Sequence, residues 1–288
     1  MAQLESEHKT DATTVSNEDI VAKLQTQHLN QQYKTHNYLT ETIELPSKGL
    51  VYPKENPLSL GKVEMRYLTA KDEDILTSRN LINKGATILF DRLLKSIIVS
   101  DINLDDIIES DKEALLVAAR VLSYGKDYSI KISDPDYLSN EMVINIDLTK
   151  DLPDKEISDW SIYQNKNEFD FTLPRSKVNV TFRLLTHGIS KKLDNELAAA
   201  KKGNIEVIPE NVMTLQNIIV AVNGDRDRSS INKFVSEMPM ADSSALKKYI
   251  GEINPGLNWK KTIYSEATGM PHEITLYPDV DFFWDGLR

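Results

Sequence analysis

The sequence predicts an α+β fold that is internally duplicated, each half running from one or more strands through capped helices to a β-hairpin. Three observations carry this. First, Val63-Glu-Met-Arg-Tyr-Leu-Thr-Ala-Lys-Asp-Glu-Asp-Ile-Leu76 is echoed by Val180-Thr-Phe-Arg-Leu-Leu-Thr-His-Gly-Ile-Ser-Lys-Lys-Leu193, with Arg66, Leu68 and Thr69 matching Arg183, Leu185 and Thr186. Second, a Leu-Pro pair stands upstream of each copy, Leu45-Pro46 and Leu173-Pro174. Third, the echo continues downstream in order. Ile97-Ile98-Val99 returns as Ile218-Ile219-Val220, and Asp111, Ala114, Leu115, Gly125 and Tyr128 are matched at one constant offset by Asp242, Ala245, Leu246, Gly256 and Trp259. Offsets that change only between blocks are what a duplication with loop insertions leaves behind. The expected organisation is a flexible arm over 1–40 with a short amphipathic helix, a first repeat over 41–150, a linker over 151–168 and a second repeat over 169–288.

The elements follow in chain order. Residues 1–17 are polar and rich in Ser, Thr, Glu and Asp, a composition that does not fold alone. Ser16 can cap a helix in which Ile20, Val21, Leu24 and His28 share one face. Ile43 to Pro53 is punctuated by Pro and Gly and reads as a strand and turn. Val63, Met65 and Tyr67 alternate with Lys62, Glu64 and Arg66, the period of a half-buried strand. Thr69 then caps a helix whose first turn holds Asp72 and Glu73, favourable at the positive end of the helix dipole. The second copy keeps the cap at Thr186 and drops the acids.

Residues 83–100 carry Ile88, Leu89, Phe90, Leu93, Leu94, Ile97 and Ile98, a wide apolar face for a central helix. Asp111 is expected to cap the next helix, with Leu115, Leu116, Ala119 and Leu122 to one side and Gly125 ending it. Tyr128, Ile130 and Ile132 alternate, Asp134-Pro-Asp-Tyr turns, and 143–148 alternates again, which makes a hairpin. The acidic stretch 150–168 has little periodicity. The second half reads as strands at 169–172 and 178–184, helices from Ser190 to Lys202 and from Pro209 to Val222, a loop, a helix from Asp242 to Ile253, and a hairpin over 259–277. The terminal Val280-Asp-Phe-Phe-Trp-Asp-Gly-Leu-Arg288 sets three aromatics in succession. Phe282 and Trp284 capping the core is one role for them, and anchoring a partner is the other.

Composition bounds the function. The chain has 288 residues, 40% of them hydrophobic, and a formal net charge of -10. That is enough apolar material for a sizeable core. The charge opposes phosphate backbones and anionic membranes, and the Lys pairs at 191–192, 201–202 and 247–248 read as solvated helix faces. No cysteine is present, which excludes disulfides, cysteine nucleophiles and thiolate metal sites. The start is polar and acidic with no apolar signal region, and no window approaches the ~20 apolar residues of a membrane helix.

Chemistry is mostly missing. The five histidines (His8, His28, His36, His187, His272) show no metal-ligand spacing. Phosphate-cradling glycine loops and the Gly-x-Ser-x-Gly elbow are absent. Asn223-Gly-Asp-Arg-Asp-Arg-Ser229 resembles the start of a calcium loop through Asp225, Asp227 and Ser229. Its sixth position is Ser230 instead of Gly and its twelfth is Ser236 instead of Glu, so it reads as a charged loop. The carboxylates between Asp101 and Glu113 invite a glycosidase-like acid pair. The sequence reading is a solvated helix edge with nothing to raise one pKa above another.

The strings Ile-Glu-Leu-Pro-Ser-Lys-Gly-Leu-Val-Tyr (43–52) and Arg-Tyr-Leu-Thr-Ala-Lys-Asp-Glu-Asp-Ile-Leu (66–76) resemble the baseplate hub subunit (hub assembly) family of T-even-type contractile-tailed phages. The likeness runs from Ile43 to Trp284 and includes Asn223-Gly-Asp225, Met238-Pro239, Asp242-Ser243 and Phe282-Phe283. Some members of that family carry Cys-x-x-Cys knuckles in the hairpins after the capped helices. Here Trp259 to His272 has no cysteine, so packing and the turn must hold that hairpin.

The resemblance implies a non-enzymatic protein of the baseplate hub, kept in the virion tail or acting transiently as an assembly chaperone in the infected cytoplasm. Expected partners are other hub or tail proteins, with self-association as a further contact, and no nucleic acid or membrane. No catalytic residue, cofactor or metal is expected. The expected contact residues are Ile20, Val21 and Leu24 in the arm, Tyr52 in the Leu-Pro loop, and Phe282, Phe283 and Trp284. Competing classes are a hydrolase using Asp101, Asp105, Asp225 and Asp227, and a nucleic-acid binder, which the charge opposes.

Overall fold

Two short strands, β1 (Thr40–Glu44) and β2 (Lys62–Arg66), open the body of the computed structural model, paired in a two-stranded sheet. The structure describes residues 39–203, 208–276 and 280–283. The chain divides into compact units at 1–40 and 41–288, and of the first only residues 39 and 40 are described. The expected arm helix, with Ile20, Val21 and Leu24, lies outside the described residues, as does Trp284.

The loop between β1 and β2 folds tightly on itself. Gly49 (φ 77°) and Gly61 (φ 68°) both need the left-handed region, and a Cβ on Gly49 would sit 2.4 Å from the Ser59 carbonyl oxygen. Only glycine takes such positions without steric cost. Val63 and Met65 of β2 point into the core, as the alternation requires.

Helix α1 (Ala70–Leu76) starts at Thr69. The Asp72 carboxylate reaches back to accept the Thr69 amide and hydroxyl, both at 2.8 Å. Thr69 and Asp72 thus form a reciprocal capping box at this helix start. A single helical turn, α2 (Arg79–Ile82), comes next, and no periodicity in the sequence marks it. Helix α3 (Ala86–Ile97) follows. Leu89, Phe90, Leu93, Leu94 and Ile97 are buried in α3, but Ile88 faces outward at 46% exposure. Ile98 leaves the helix in extended conformation and bridges Met65 of β2.

Helix α4 (Glu109–Tyr124) is sunk into the core over much of its length and ends at Gly125, whose φ is 86°. That is the usual place for a left-handed glycine. Strands β3 (Asp127–Asp134) and β4 (Tyr137–Asp147) form the expected hairpin, with Met142, Ile144 and Ile146 inward. Arg120 of α4, 1% exposed, donates through Nε to the Phe282 carbonyl.

The stretch 151–168 runs beside the last helix. Leu152 and Tyr163 are buried, the Lys155 amide donates to the Gly256 carbonyl at 2.7 Å, and the Tyr163 hydroxyl donates to the Ile253 carbonyl. Strands β5 (Phe169–Thr172) and β6 (Asn179–Phe182) then pair antiparallel. Helix α5 (His187–Lys202) starts earlier than Ser190, with extended Thr186 at its N-cap position but no side-chain capping bond.

Helix α6 (Glu210–Ile218) is shorter than the sequence suggests, because Ile219–Val222 becomes strand β7 and completes the order β5-β6-β7. The run Ile219-Val220-Ala221-Val222 gains ladder bonds to β6, with Val180 facing Val222 and Phe182 facing Ile219. Its β-branched residues fit that pleated, half-buried surface. The supposed loop after it contains α7 (Arg228–Ser236), N-capped by Asp227, whose carboxylate accepts the Ser230 amide at 2.8 Å. Such an acceptor satisfies one of the amides a helix start leaves open. Helix α8 (Met240–Ile253) and the hairpin β8 (Lys260–Tyr264) with β9 (Pro271–Thr275) close the fold. One continuous apolar core runs from Leu45 through Leu115, Tyr163 and Leu246 to Phe283. No helix among the described residues is long and apolar enough to cross a membrane.

Candidate functional site

Buried charge marks the places where this chain does something other than pack apolar groups, because an unpaired buried charge is expensive. Asp111, 0% exposed, lies inside the first turn of α4, not at its cap. Its carboxylate accepts the Ser47 amide (3.0 Å), the Ser47 hydroxyl (2.6 Å) and the Tyr52 hydroxyl (2.6 Å). It thus fastens α4 to the turn after Leu45-Pro46. Burial pushes Asp111 up to about 6 despite these donors, and burial with the Asp111 charge holds Tyr52 well above the ordinary tyrosine range. Both shifts disfavour the charged form, as desolvation does.

Asp242 in the first turn of α8 accepts the Arg175 amide (2.7 Å) and the Ser176 amide (3.0 Å), in the turn after Leu173-Pro174. Asp72 is held by Arg66 in a two-pronged pair at 2.7 and 2.8 Å and also accepts the Ser96 hydroxyl. Burial acts to raise Asp72, but Arg66, Ser96 and Thr69 outweigh it and hold the carboxyl far below the usual range. Bonds to the charged form win here over desolvation. The Arg66 Nε also donates to the Ser96 carbonyl, and Arg183 Nη2 donates to the Asn217 carbonyl.

A further buried polar cluster is signalled by no motif. His187, fully buried, brings Nε2 against Asp91 and Nδ1 to 3.0 Å from Glu109. Lys112 Nζ lies 2.9 Å from the same Nδ1, and Lys191 binds Asp105 at 2.7 Å. The hints in sequence are slight: Asp91 follows the apolar run Ile88-Leu89-Phe90 in α3, and Lys112 stands among acids in the first turn of α4. The acidic run 101–113 is therefore not the uniformly solvated edge expected of it. From Ile108 onward it turns inward with α4, and burial raises both Asp111 and Glu113, although Trp259 Nε1 donates to Glu113 at 3.1 Å.

The other acids do not converge. Asp225 closes the Asn223-Gly224 turn through backbone bonds with Val222 and accepts the Asp227 amide, while Asp227 caps α7. Asp105 pairs with Lys191. Among the described residues no cluster of His, Asp or Glu is arranged to hold a metal ion.

Of the expected contact residues that are described, three lie inside the chain. Tyr52 is 3% exposed and bonded to Asp111, and its hydroxyl also accepts the Ile108 amide. Phe282 meets Tyr128 edge-on at 5.1 Å between ring centroids, and Phe283 meets Phe90 at 5.7 Å. These two rings carry out the core-capping role. Exposed apolar side chains lie elsewhere, among them Tyr137 and Leu138 at the end of β3–β4 and Tyr264 and Met270 at the end of β8–β9. Those hairpin ends are tied together. Asp134 accepts the Ser265 hydroxyl at 2.7 Å and the Ala267 amide at 3.1 Å, Asp136 accepts the Thr268 hydroxyl, and His272 lies 2.9 Å from Asp136.

No curated protein and no solved structure shows a significant match to the chain. A family model described as T4 bacteriophage base plate protein matches residues 35–284, a span that includes every described residue. The family is one of structural phage tail proteins that work through contacts with other tail or baseplate components. With the match spanning both Asp-anchored turns, the buried junction and the joined hairpins, the chain belongs to the T4 bacteriophage base plate protein family.

Proposed function

We propose that the protein is a non-enzymatic component of the baseplate hub, or a factor that assembles it, and acts through protein–protein surfaces. The family match over 35–284 carries this reading. The chemistry supports it. The buried acids Asp72, Asp111 and Asp242 each hold a turn or a helix start. The hydrolase alternative requires Asp101, Asp105, Asp225 and Asp227 to act together. Asp105 is tied to Lys191 and Asp227 to the start of α7.

The joined hairpin ends, where Leu138 is 77% exposed and Tyr137, Tyr264 and Met270 also face outward, are the described surface best suited to a protein partner. Apolar side chains grouped at a surface are a mark of such contacts. Ile20, Val21, Leu24 and Trp284 remain proposed contacts. We also read the body as a duplication. Asp111 and Asp242 each anchor a helix to the turn after a Leu-Pro pair, and Arg66 and Arg183 each cap the end of a helix at matched carbonyls.

The test is mass spectrometry of purified virions, counting this chain against a tail protein of known stoichiometry. A few copies per particle are expected of a hub component. Abundance in infected-cell lysate with absence from virions identifies the chaperone role instead, and absence from any phage particle or infected cell overturns the reading.

A further inference from the structure

We propose that His187 is a proton-operated latch between α4 and the strand-to-helix junction at Thr186, with Lys112 competing against the proton for Nδ1. The imidazole sits where backbone bonds join the two elements. The His187 amide donates to Ile107 at 2.8 Å, the Glu109 amide donates to Leu185 at 2.9 Å, and Ile108 bridges Thr186.

Nδ1 has two incompatible neighbours. As N–H it donates to Glu109 Oε1 at 3.0 Å, and as a lone pair it accepts from Lys112 Nζ at 2.9 Å. A single ring nitrogen cannot do both. The imidazolium form therefore pairs its charge with Asp91 at Nε2 and donates to Glu109 through Nδ1, leaving Lys112 to Glu109 Oε2, which lies 3.4 Å away. The neutral form keeps Nε2–H toward Asp91 and receives Lys112, and the Glu109 contact is given up.

Every packed element contributes charge here. Helix α3 supplies Asp91, and its Lys95 acts on Asp105. Helix α4 supplies Glu109, Lys112 and Glu113, α5 supplies Lys191, and the turn before α4 supplies Asp105. Carboxylates outnumber ammonium groups, so a proton on the buried ring offsets an excess of negative charge. Burial and Lys112 oppose the imidazolium, but Asp91 and Glu109 outweigh them and hold His187 above the ordinary histidine value. A raised histidine pKa contributes stability that is complete below the unfolded value of about 6.5 and is lost as pH rises through the folded one. The latch is closed in acid and loosens toward alkaline pH.

The test is a ¹⁵N side-chain correlation spectrum of the full chain across pH 5.5–8.5, with amide hydrogen exchange on the same samples. His187→Gln identifies the His187 signals. Below the transition both ring nitrogens should carry protons, and above it Nδ1 should not. Exchange protection at the Glu109 and His187 amides, corrected for intrinsic rates, should fall several-fold across the same midpoint. Lys112→Met removes the competitor and should move midpoint and protection loss together to higher pH by roughly one unit. The proposal is overturned if Nδ1 keeps one protonation state across the range, or if Lys112→Met leaves midpoint and protection unmoved. If His187→Gln fails to fold, Lys112→Met still decides between these outcomes.

Discussion

Asp111 has two roles that one substitution can separate. Its fully buried carboxylate satisfies a backbone amide and two hydroxyls, and Asp111→Ala leaves all three donors without that acceptor. The expected cost is about 3 kcal/mol, at the upper end for stranded buried donors, read as a lower midpoint in urea. The same carboxyl is raised to about 6. The wild-type chain is therefore penalised as pH rises from about 4, where the unfolded acid ionises, through the folded value. The alanine variant should lack that part of the pH dependence. Asp72 behaves oppositely. Its folded pKa is depressed, so its contribution is present above about 4 and is lost as pH falls toward the folded value. Arg66→Ala removes the cation of a buried pair. It should cost about 3 kcal/mol at neutral pH, shrinking in acid as Asp72 takes a proton. An Arg66→Ala penalty that stays constant from pH 7 to pH 3 contradicts this account.

Among the elements, those with a strong period are legible in the sequence and those specified by a partner are not. The strand at Val63 and Met65, the central helix at 86–97 and both hairpins follow from spacing, since their apolar positions repeat at the helix or strand period. Ile219–Val222 reads as the end of a helix because periodicity cannot separate a short apolar run from a helical turn. Only the neighbouring β6 decides the matter. Helix α7 is hidden by Asn223-Gly-Asp-Arg-Asp, which signals a turn so strongly that the cap at Asp227 passes as part of the loop. Tyr52 reads as a surface anchor because its burial depends on Asp111, far along the chain. The His187 cluster is illegible for the same reason, since Asp91 comes from α3, Glu109 and Lys112 from α4, and His187 itself from α5. The loop at Gly49 is marked in sequence by its Pro and Gly, but its tightness is not. Gly49→Ala both strains a left-handed residue and drives a Cβ into the Ser59 carbonyl. A loss of about 2 kcal/mol or more is expected, read in a thermal melt.

For the whole molecule, the proposed duplication and the packing point toward different unfolding behaviour, and calorimetry can tell them apart. Two repeats joined by a linker would melt as two units if each buried its own core. The described residues from 41 onward instead share one apolar core, and the segments that close it are far apart in sequence. Phe283 lies against Phe90 of α3, Phe282 lies against Tyr128 of β3, and the Phe282 carbonyl takes the buried Arg120 guanidinium of α4. The end of the second half is thereby a structural part of the first. Tyr163, Leu152 and the Lys155–Gly256 bond knit the intervening stretch into the same body. A single calorimetric transition is therefore expected for the body, with equal calorimetric and van't Hoff enthalpies. Phe283→Ala should lower that one transition as a whole, by about 3–4 kcal/mol for the loss of a fully buried ring, without splitting it. A split into two transitions, with the later-sequence half unaffected, would show that the repeats fold independently and that the terminal aromatics only decorate the first.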